Sequence, residues 1–591
     1  MNIVLQAQKC SASFTVPVVL VLAGASLLAV AGVVGWSSSN RQFTARQNQY
    51  FATVAAAEAA SEQVIAAISR DFQSGSEPAV FQNLPSYRQL VPTAASLVNA
   101  VTNLLGNLLG GGGNGPGLGS NTLAGFEFSD AQGHITQTYA DRLTLWSYVP
   151  LQTKLPGVSG NASNYRIISN ARQLNTTFNS TAAIRQDVQI ASIPLFQYQV
   201  FYAQDLELCP GTVMTYSGPV HCNGTIYLQP NGVAETFLGP VTASSQIFHY
   251  KSPNDPTART FGSVVYTAGR DMRVNSLNLP IGVNNSSSMV HQIIEVPPAS
   301  ETTNSLMGQQ RYYNKADLII LVSNSTVVAR SGAYNGFLIS IPWAFISPFV
   351  DTNATFFSKR ENKTIKATEI NVQKFVQDYL ILTFFLGRNP KILYVADFRT
   401  QTASTESGVS IINGQTLPSV GLTVATLNPL YIKGHFNAPA ANLGTTNTSA
   451  TMPASLVADA ITILSPNWAD TNSTLAVSSR IATSTTVNAA VIAGIVPTGG
   501  GYFSGGGENF FRFLESWSGN TFTFNGSVAA MFSSQIATAP WGASSDVYSV
   551  PQRNYALDQN FKNPAKLPPG TPELRTLIRS QWASIPPNQI Q

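Results

Sequence analysis

The first pattern in the chain is a block of apolar positions near its start. No residue from Ser11 to Asn40 is charged, and Phe14 to Trp36 (FTVPVVLVLAGASLLAVAGVVGW) runs apolar without a break. That length matches the roughly 20 residues a helix needs to cross a bilayer core. Lys9 precedes the run and Trp36 closes it at an interfacial position. Phe14, Pro17, Leu20, Leu27, Val33 and Trp36 are therefore assigned to a transmembrane helix, residues 14–36, behind a short leader, residues 1–13. Two features argue against a cleaved secretory signal: the run is long, and its Gly-Trp-Ser-Ser-Ser-Asn end lacks a small-x-small cleavage pattern. Pro17 is tolerable so near the start of a membrane helix.

The next stretch changes character without losing helical period. Arg41 to Phe72 contains neither Gly nor Pro. Phe43, Gln47, Tyr50, Val54, Ala57, Ser61, Val64 and Ile68 step by alternating fours and threes, a helical stripe with small residues in its middle. The pattern predicts that the membrane helix continues outward as a rod, residues 37–75, stopped by Gly75 and Pro78. Phe43, Tyr50, Val54, Ala57, Val64 and Ile68 are its packing positions. Such a stripe fits a helix lying on its own domain, or a rod packed against copies or partners in a fibre.

A basic leader, an uncharged apolar helix and an Ala-rich polar extension together resemble type IV pilin-like proteins. The resemblance is strongest to the N-terminal domain of PilX-type minor pilins, where a similar FxAAEAA segment follows the membrane helix. Here the matching stretch is Tyr50-Phe51-Ala52-Thr53-Val54-Ala55-Ala56-Ala57-Glu58-Ala59-Ala60. Two positions depart from the pilin pattern. No Gly precedes the hydrophobic start (Lys9-Cys10-Ser11-Ala12-Ser13-Phe14), and the glutamate pilins carry at the fifth mature position is missing. If processing occurs, Ser13 and Phe14 mark the site. The resemblance implies insertion in the inner membrane and partners among other pilins or pilus-assembly proteins. It also implies a C-terminal body in the periplasm or at the cell surface.

Beyond the rod, residues 76–125 read as a connector, with an apolar segment from Ala94 to Leu109 running into a glycine-rich loop. Residues 126–200 alternate short apolar runs with turn signals and predict a small β-sheet. Residues 201–535 carry an internal repeat. Gly218-Pro219-Val220 recurs as Gly239-Pro240-Val241, each leading to an Ile-aromatic pair, Ile226-Tyr227 and Ile247-Phe248. A period of about 21 to 23 residues fits one coil of a stacked solenoid. The expected fold class is thus mainly β: a long N-terminal helix, then a parallel β-solenoid body, with an antiparallel sandwich as the alternative. Residues 536–591 form a tail. Two helices are predicted to cap the body, Glu508 to Trp517 and a second starting at Thr571-Pro572-Glu573 and ending before Pro586. The GPVHCNG motif and the closing PPGTPELRTLIRSQW segment also resemble large PilX-domain envelope proteins.

Composition narrows the function. At 591 residues several structural units are expected. Charged residues are 10% of the chain, against the roughly 25% usual for soluble domains. The net charge of +4 has no basic run behind it, which leaves no nucleic-acid footprint. Cys10 lies beside the membrane segment, whereas Cys209 and Cys222 flank a Pro/Gly-rich stretch and form either a disulfide or two unpaired thiols. A zinc site there lacks a second ligand pair. His134, His221, His249, His291 and His435 are dispersed, and His221 is expected to satisfy a buried backbone group at a turn. Asp205 and Glu207 have the spacing of a carboxylate pair or calcium site, but a solvated strand face accounts for them as well. Gly499 to Gly507 has the composition of a flexible loop, without the Lys and Ser/Thr of a phosphate-binding one. No cofactor is expected. The chain reads as a non-enzymatic structural component of the envelope, a minor pilin or pilus-assembly protein. The alternatives are a surface adhesin for a glycan or cell ligand and a polysaccharide-active β-solenoid enzyme.

Overall fold

The computed structural model describes residues 15–92, 125–151, 155–282, 284–332, 338–542 and 546–588. Phe14, Ser13, Cys10 and the glycine-rich loop of the connector lie outside the described residues. Helix α1 spans Thr15–Gln82 and contains one break, at Ser76 (φ 61, ψ −166). Pro78 has no N–H to give to the turn before it and its ring crowds that turn, so the helix cannot pass through unbroken. Gly75 serves the same turn, since a Cβ there would sit 2.4 Å from that of Ala79. The rod therefore does not end at Gly75 as expected. It turns at Ser76, resumes to Gln82, and is followed by α2 (Leu84–Arg88).

Behind the helix stands an antiparallel sheet of six strands: β1 (Phe126–Ser129), β2 (Tyr139–Arg142), β3 (Ser147–Pro150), β4 (Ser159–Gln173), β5 (Thr181–Pro194) and the C-terminal strand Glu573–Ile585. β4 pairs with β1, β2 and β3 on one edge and with β5 on the other; β5 then pairs with the C-terminal strand. The second capping helix is thus corrected to a strand. Leu574, Thr576 and Ile578 are buried at a spacing of two, and β5 offers that segment a complete hydrogen-bonding edge. Thr571, read as a helix cap, instead donates its hydroxyl to Pro568 O (2.6 Å) in a turn.

Residues 195–572 are inserted between those two paired strands. The chain leaves where Leu195 N–H donates to Pro572 O (2.9 Å), so departure and return are hydrogen-bonded to each other. It first winds outward. Val200–Tyr202, Val220–Cys222, Val241–Ala243 and Arg270–Met272 pair in parallel, in register. Leu206–Leu208, Ile226–Leu228 and Ile247–Phe248 form a second parallel ladder, and Met214–Tyr216, Ala234–Phe237 and Ser263–Tyr266 a third. The Gly-Pro-Val repeat marks the shared corner of these ladders. A Cβ on Gly239 would lie 2.2 Å from Gly218 O, so only glycine lets the neighbouring turns approach. Like residues fall above one another: the rings of Tyr216, Phe237 and Tyr266 stack at 4.9 and 5.4 Å.

The chain then crosses to the far end and winds back. Leu318–Val322, Ile392–Asp397, Leu422–Thr426, Ala454–Ala458, Thr485–Ile495 and Thr521–Ser533 pair in parallel, and the last of these pairs with Val200–Tyr202. A single 13-stranded sheet results, finished at its far edge by the antiparallel strands Val327–Ser331 and Ser340–Ile341. A second, mixed sheet runs from Val350–Ser358 to Phe511–Phe513. The first capping helix is corrected here. Glu508 to Trp517 holds a short 3-10 turn, Gly507–Asn509, and the strand Phe511–Phe513. Phe510, Phe511, Phe513, Leu514 and Trp517 are all at most 2% exposed, and a segment buried on every side gains more from the ladder than from a one-sided helix. Asn525 donates to the in-register Asn488 Oδ1 (2.8 Å), and the Thr423 and Ser455 hydroxyls meet at 2.8 Å, so these interior polar side chains pair between strands.

Candidate functional site: the amino-terminal helix and its seat

α1 divides into two halves with opposite environments. Its most hydropathic window is entirely unburied, and the span from Leu22 is long and apolar enough to cross a membrane. Leu27 (71%), Val33 (64%) and Trp36 (69%) are exposed, and Pro17 and Leu20 lie within the helix. Of the packing positions, Phe43 (61%) and Tyr50 (41%) stay in solvent and Val54 is half-buried. Ala57, Val64 and Ile68 are fully buried. The lower part of the stripe thus lies on the chain's own sheet, whereas Phe43 and Tyr50 above it stay exposed, with Tyr50 OH 3.3 Å from Ser584 Oγ.

The seat is built from complementary sizes. Ala56, Ala57 and Ala60 let the helix approach Phe128, Ala171 and Ile184, while Val64, Ile68 and Phe72 pack on Tyr165, Ile167, Val188 and Ile190. Polar contacts fix the register. Gln186 on β5 donates to Ser61 Oγ (2.9 Å) and to Glu62 Oε1 (3.0 Å), and Arg579 pairs with Glu62 from the C-terminal strand. Burial raises the Glu62 pKa, but the hydrogen bonds from Arg579 and Gln186 outweigh it and hold the carboxyl below its ordinary value. The break at Ser76 interrupts the helix hydrogen-bond ladder just beyond Phe72. Arg575 meets it by donating Nη1 to Phe72 O (2.9 Å) and Gln73 O (2.8 Å). The same break turns Glu77 inward, where it accepts from Arg142 (2.8 Å) and Tyr165 (3.0 Å). Helix, sheet and C-terminal strand are therefore one unit.

Of the other candidate residues, Cys209, Cys222, His221 and Glu207 are buried. Cys209 and Cys222 are buried free thiols, the second of the two arrangements their spacing left open. Cys222 is in register with Tyr202 and Ala243, whereas Cys209 follows a different ladder; the Cys222 thiol donates to Gln204 O (2.9 Å). His221 is buried between the Thr242 hydroxyl (2.8 Å) and Asn223 Oδ1 (3.0 Å), side chains rather than the backbone group expected. Burial lowers its pKa to about 4, which keeps the imidazole neutral. Asp205 and Glu207 separate: Asp205 is exposed and caps Thr225 N–H (2.7 Å), while Glu207 is buried under the glycine-rich loop, its Oε2 accepting from Thr498 (3.1 Å). That loop is docked on the first turn of the body, with Gly506 bridged to Glu207.

Two buried carboxylates at this junction were not legible in the sequence. Glu508 caps Cys209 N–H (3.2 Å), and Glu235 is completely buried. Burial raises the pKa of both, and Glu508 raises that of Glu235 further. Only the distant return of the chain brings Glu508 to Glu207 and Glu235. Among the described residues no group of three or more His, Cys, Asp or Glu could hold a metal ion.

No protein-family model matches the chain, and no curated protein sequence does either. Among solved structures, the competence-associated pilin ComZ from Thermus thermophilus aligns with 91% of this chain and 97% of its own length, at 12% identity and a TM-score of 0.29.

Proposed function

We propose that the chain is a non-enzymatic, pilin-like component of a bacterial envelope, a minor pilin or pilus-assembly protein that carries a large β-solenoid outside the cytoplasm. The observation that supports this reading is the division of α1. The apolar window of its first half is unburied among the described residues, while its second half is built into an antiparallel sheet closed by the C-terminal strand. A helix of this kind can sit in the inner membrane and then pack among similar helices of other pilins, with the seated half carrying the body. The in-register parallel ladders support a solenoid as the architecture of that body.

The test must spare the seat, because deleting the helix through Phe72 removes core residues of the sheet. Replacing Leu27 and Val33 by Lys alters only the exposed half. Loss of the variant from the membrane and pilus fractions is the expected result. A Leu27→Lys/Val33→Lys protein that still co-purifies with pili would show that the helix is not the assembly element.

A further inference from the structure

We propose that Asn353 and Asn472 are acceptors for N-linked glycans, a modification that rests on the placement of the body outside the cytoplasm. They occupy two copies of one pattern, Asp351-Thr352-Asn353-Ala354-Thr355 and Asp470-Thr471-Asn472-Ser473-Thr474. Asn-x-Ser/Thr is the acceptor triplet for an N-linked sugar, and it is used where it lies on the surface of an exported chain. The sequence holds further triplets of this kind, but only these two have an acid two residues ahead of the Asn. A carboxylate at that fixed distance gives a transferase with a cationic groove a handle beside the acceptor.

The fold presents both asparagines to solvent. Asn353 lies in Val350–Ser358, an edge strand that pairs with Lys363–Asn371 alone. The register shifts between Asp351 and Ala354, so Thr352 and Asn353 stand opposite Thr368 and bulge out of the ladder. Asn472 ends the 3-10 turn Asp470–Asn472. Asn353, Asn472 and the following threonines, Thr355 and Thr474, are all exposed. Among the described residues none of these four side chains makes a hydrogen bond. Other triplets are differently placed. Asn324 commits its amide to the Thr400 hydroxyl (2.6 Å), while Asn223 and Asn525 donate to Leu277 O and Thr445 O (both 2.8 Å). Asn362 is exposed in a turn, but Arg360 stands where the acid would be.

The two acceptors share one edge. Phe357 N–H donates to Ser473 Oγ (2.9 Å), which fastens the second triplet against the strand that carries the first. The donor is a sugar linked to a polyprenyl diphosphate. Asn Nδ2 attacks the sugar C1, and the C1–N bond forms as the C1–O bond to the diphosphate breaks. The electron pair leaves with the polyprenyl diphosphate, and the Nδ2 proton passes to a base of the transferase. The two sites are not equivalent. Asp351 is exposed and, among the described residues, accepts only from the Asn353 amide (2.8 Å). Asp470 is held by Lys433 (2.9 Å) and by Trp468 Nε1 (2.7 Å). Asn353 is therefore the stronger acceptor. A glycan there also covers a sheet edge whose unpaired backbone groups would otherwise be open to another chain.

The test produces the full-length chain in bacterial cells that carry an oligosaccharyltransferase with its polyprenyl-diphosphate-linked oligosaccharide and that modify a standard periplasmic acceptor. A tail repeating residues 351–355 is added after Gln591 to report exposure to the enzyme. Glycopeptide mass spectrometry then reads each Asn. Glycan is expected on Asn353 and Asn472, with the higher occupancy at Asn353, and none on Asn362 or Asn324. Asn353→Gln and Asn472→Gln should each remove one glycan. Asp351→Asn keeps an acceptor for the Asn353 amide and should lower occupancy at Asn353 about tenfold, as loss of one charge-assisted contact implies. Unchanged circular dichroism and melting of the variants separate acceptor chemistry from folding. A modified tail with Asn353 and Asn472 bare overturns the proposal and leaves the body outside the cytoplasm. A bare tail overturns that placement, and the proposal with it. Occupancy at Asn362 equal to that at Asn353, or occupancy at Asn353 undiminished by Asp351→Asn, overturns the selection by the acid.

Discussion

Replacing Glu207 by Gln should flatten part of the pH dependence of the seam between the outgoing and returning windings. Glu207 is 6% exposed. Burial pushes its pKa up to about 7; the Thr498 hydroxyl opposes this, while Asp255, Glu508 and Asp205 add to it. In the unfolded chain the same group titrates near 4.5. Below that pH both states are protonated and the folded state is not penalised. As pH rises, the unfolded or opened state releases its proton first, so stability falls by about 1.4 kcal/mol per pH unit until the folded group also ionises. The loss levels off above pH 7 at about 3 kcal/mol. Gln keeps an acceptor for Thr498 and has no proton to lose. Hydrogen exchange of the amides at 206–208 and 505–507, corrected for intrinsic rates, measures seam opening directly. Wild type should open more readily between pH 4.5 and 7, and the variant should lose that slope and be the more stable protein at pH 8. Glu235 and Glu508 titrate in both proteins, so the difference between the curves belongs to Glu207. A variant with an undiminished slope, or one weaker than wild type at pH 8, would refute the assignment of a buried, proton-holding Glu207.

Three further outcomes follow from the same geometry. Ile68→Ala should destabilise the seat of α1 by about 2–5 kcal/mol, whereas Phe43→Ala should stay within about 0.5 kcal/mol, both read by denaturant unfolding; equal effects would contradict the division of the helix. Cys222 should resist thiol labelling in the native protein and react only on unfolding, because burial holds its thiol protonated, and peptide mapping should find no Cys209–Cys222 bridge. Excising residues 195–572 and joining Pro194 to Glu573 through a short turn, with Ile193 and Leu574 made polar, should leave a folded helix-and-sheet unit with the wild-type β5 pairing. Its failure to fold in circular dichroism and NMR would show that the body is needed to hold the two strands together.

What the sequence disclosed follows the range of the forces involved. The membrane run and the stripe of α1 are legible because helical period is local, each position being read from neighbours three and four away. The Gly-Pro-Val corner is legible because the motif recurs at one spacing, and at Gly239 the close approach of the neighbouring turn at Gly218 admits only glycine. The C-terminal strand is different. Leu574, Leu577 and Ile578 fit a helical face as well as Leu574, Thr576 and Ile578 fit a strand, and the edge that decides between them is β5, separated from it by the whole body. Glu508 to Trp517 failed for a related reason, since burial on all sides erases the one-sided pattern that identifies a helix. The buried carboxylates were hidden twice over: their neighbours are remote in sequence, and a lone Glu in a strand pattern reads as solvent-facing. The two cysteines mislead because a short spacing suggested proximity, whereas the register assigns them to different ladders.

The route of the body explains how so large an insertion is compatible with one continuous pair of strands. A stack wound in a single direction would deliver its end far from its beginning, and the strands on either side could not then meet. Here the chain begins in the middle of the 13-stranded sheet at Val200–Tyr202, winds out to Arg270–Met272, crosses to Leu318–Val322, and winds inward until Thr521–Ser533 lies beside its starting strand. Outward and inward courses cancel, and Leu195 and Pro572 arrive within one hydrogen bond of each other. The unit that holds α1 therefore experiences the insertion as a closed loop. It follows that length can be added or removed at either outer end, near Arg270–Met272 or near Ser340–Ile341, without disturbing the junction that seats the helix. The surfaces farthest from the anchor are those freest to change.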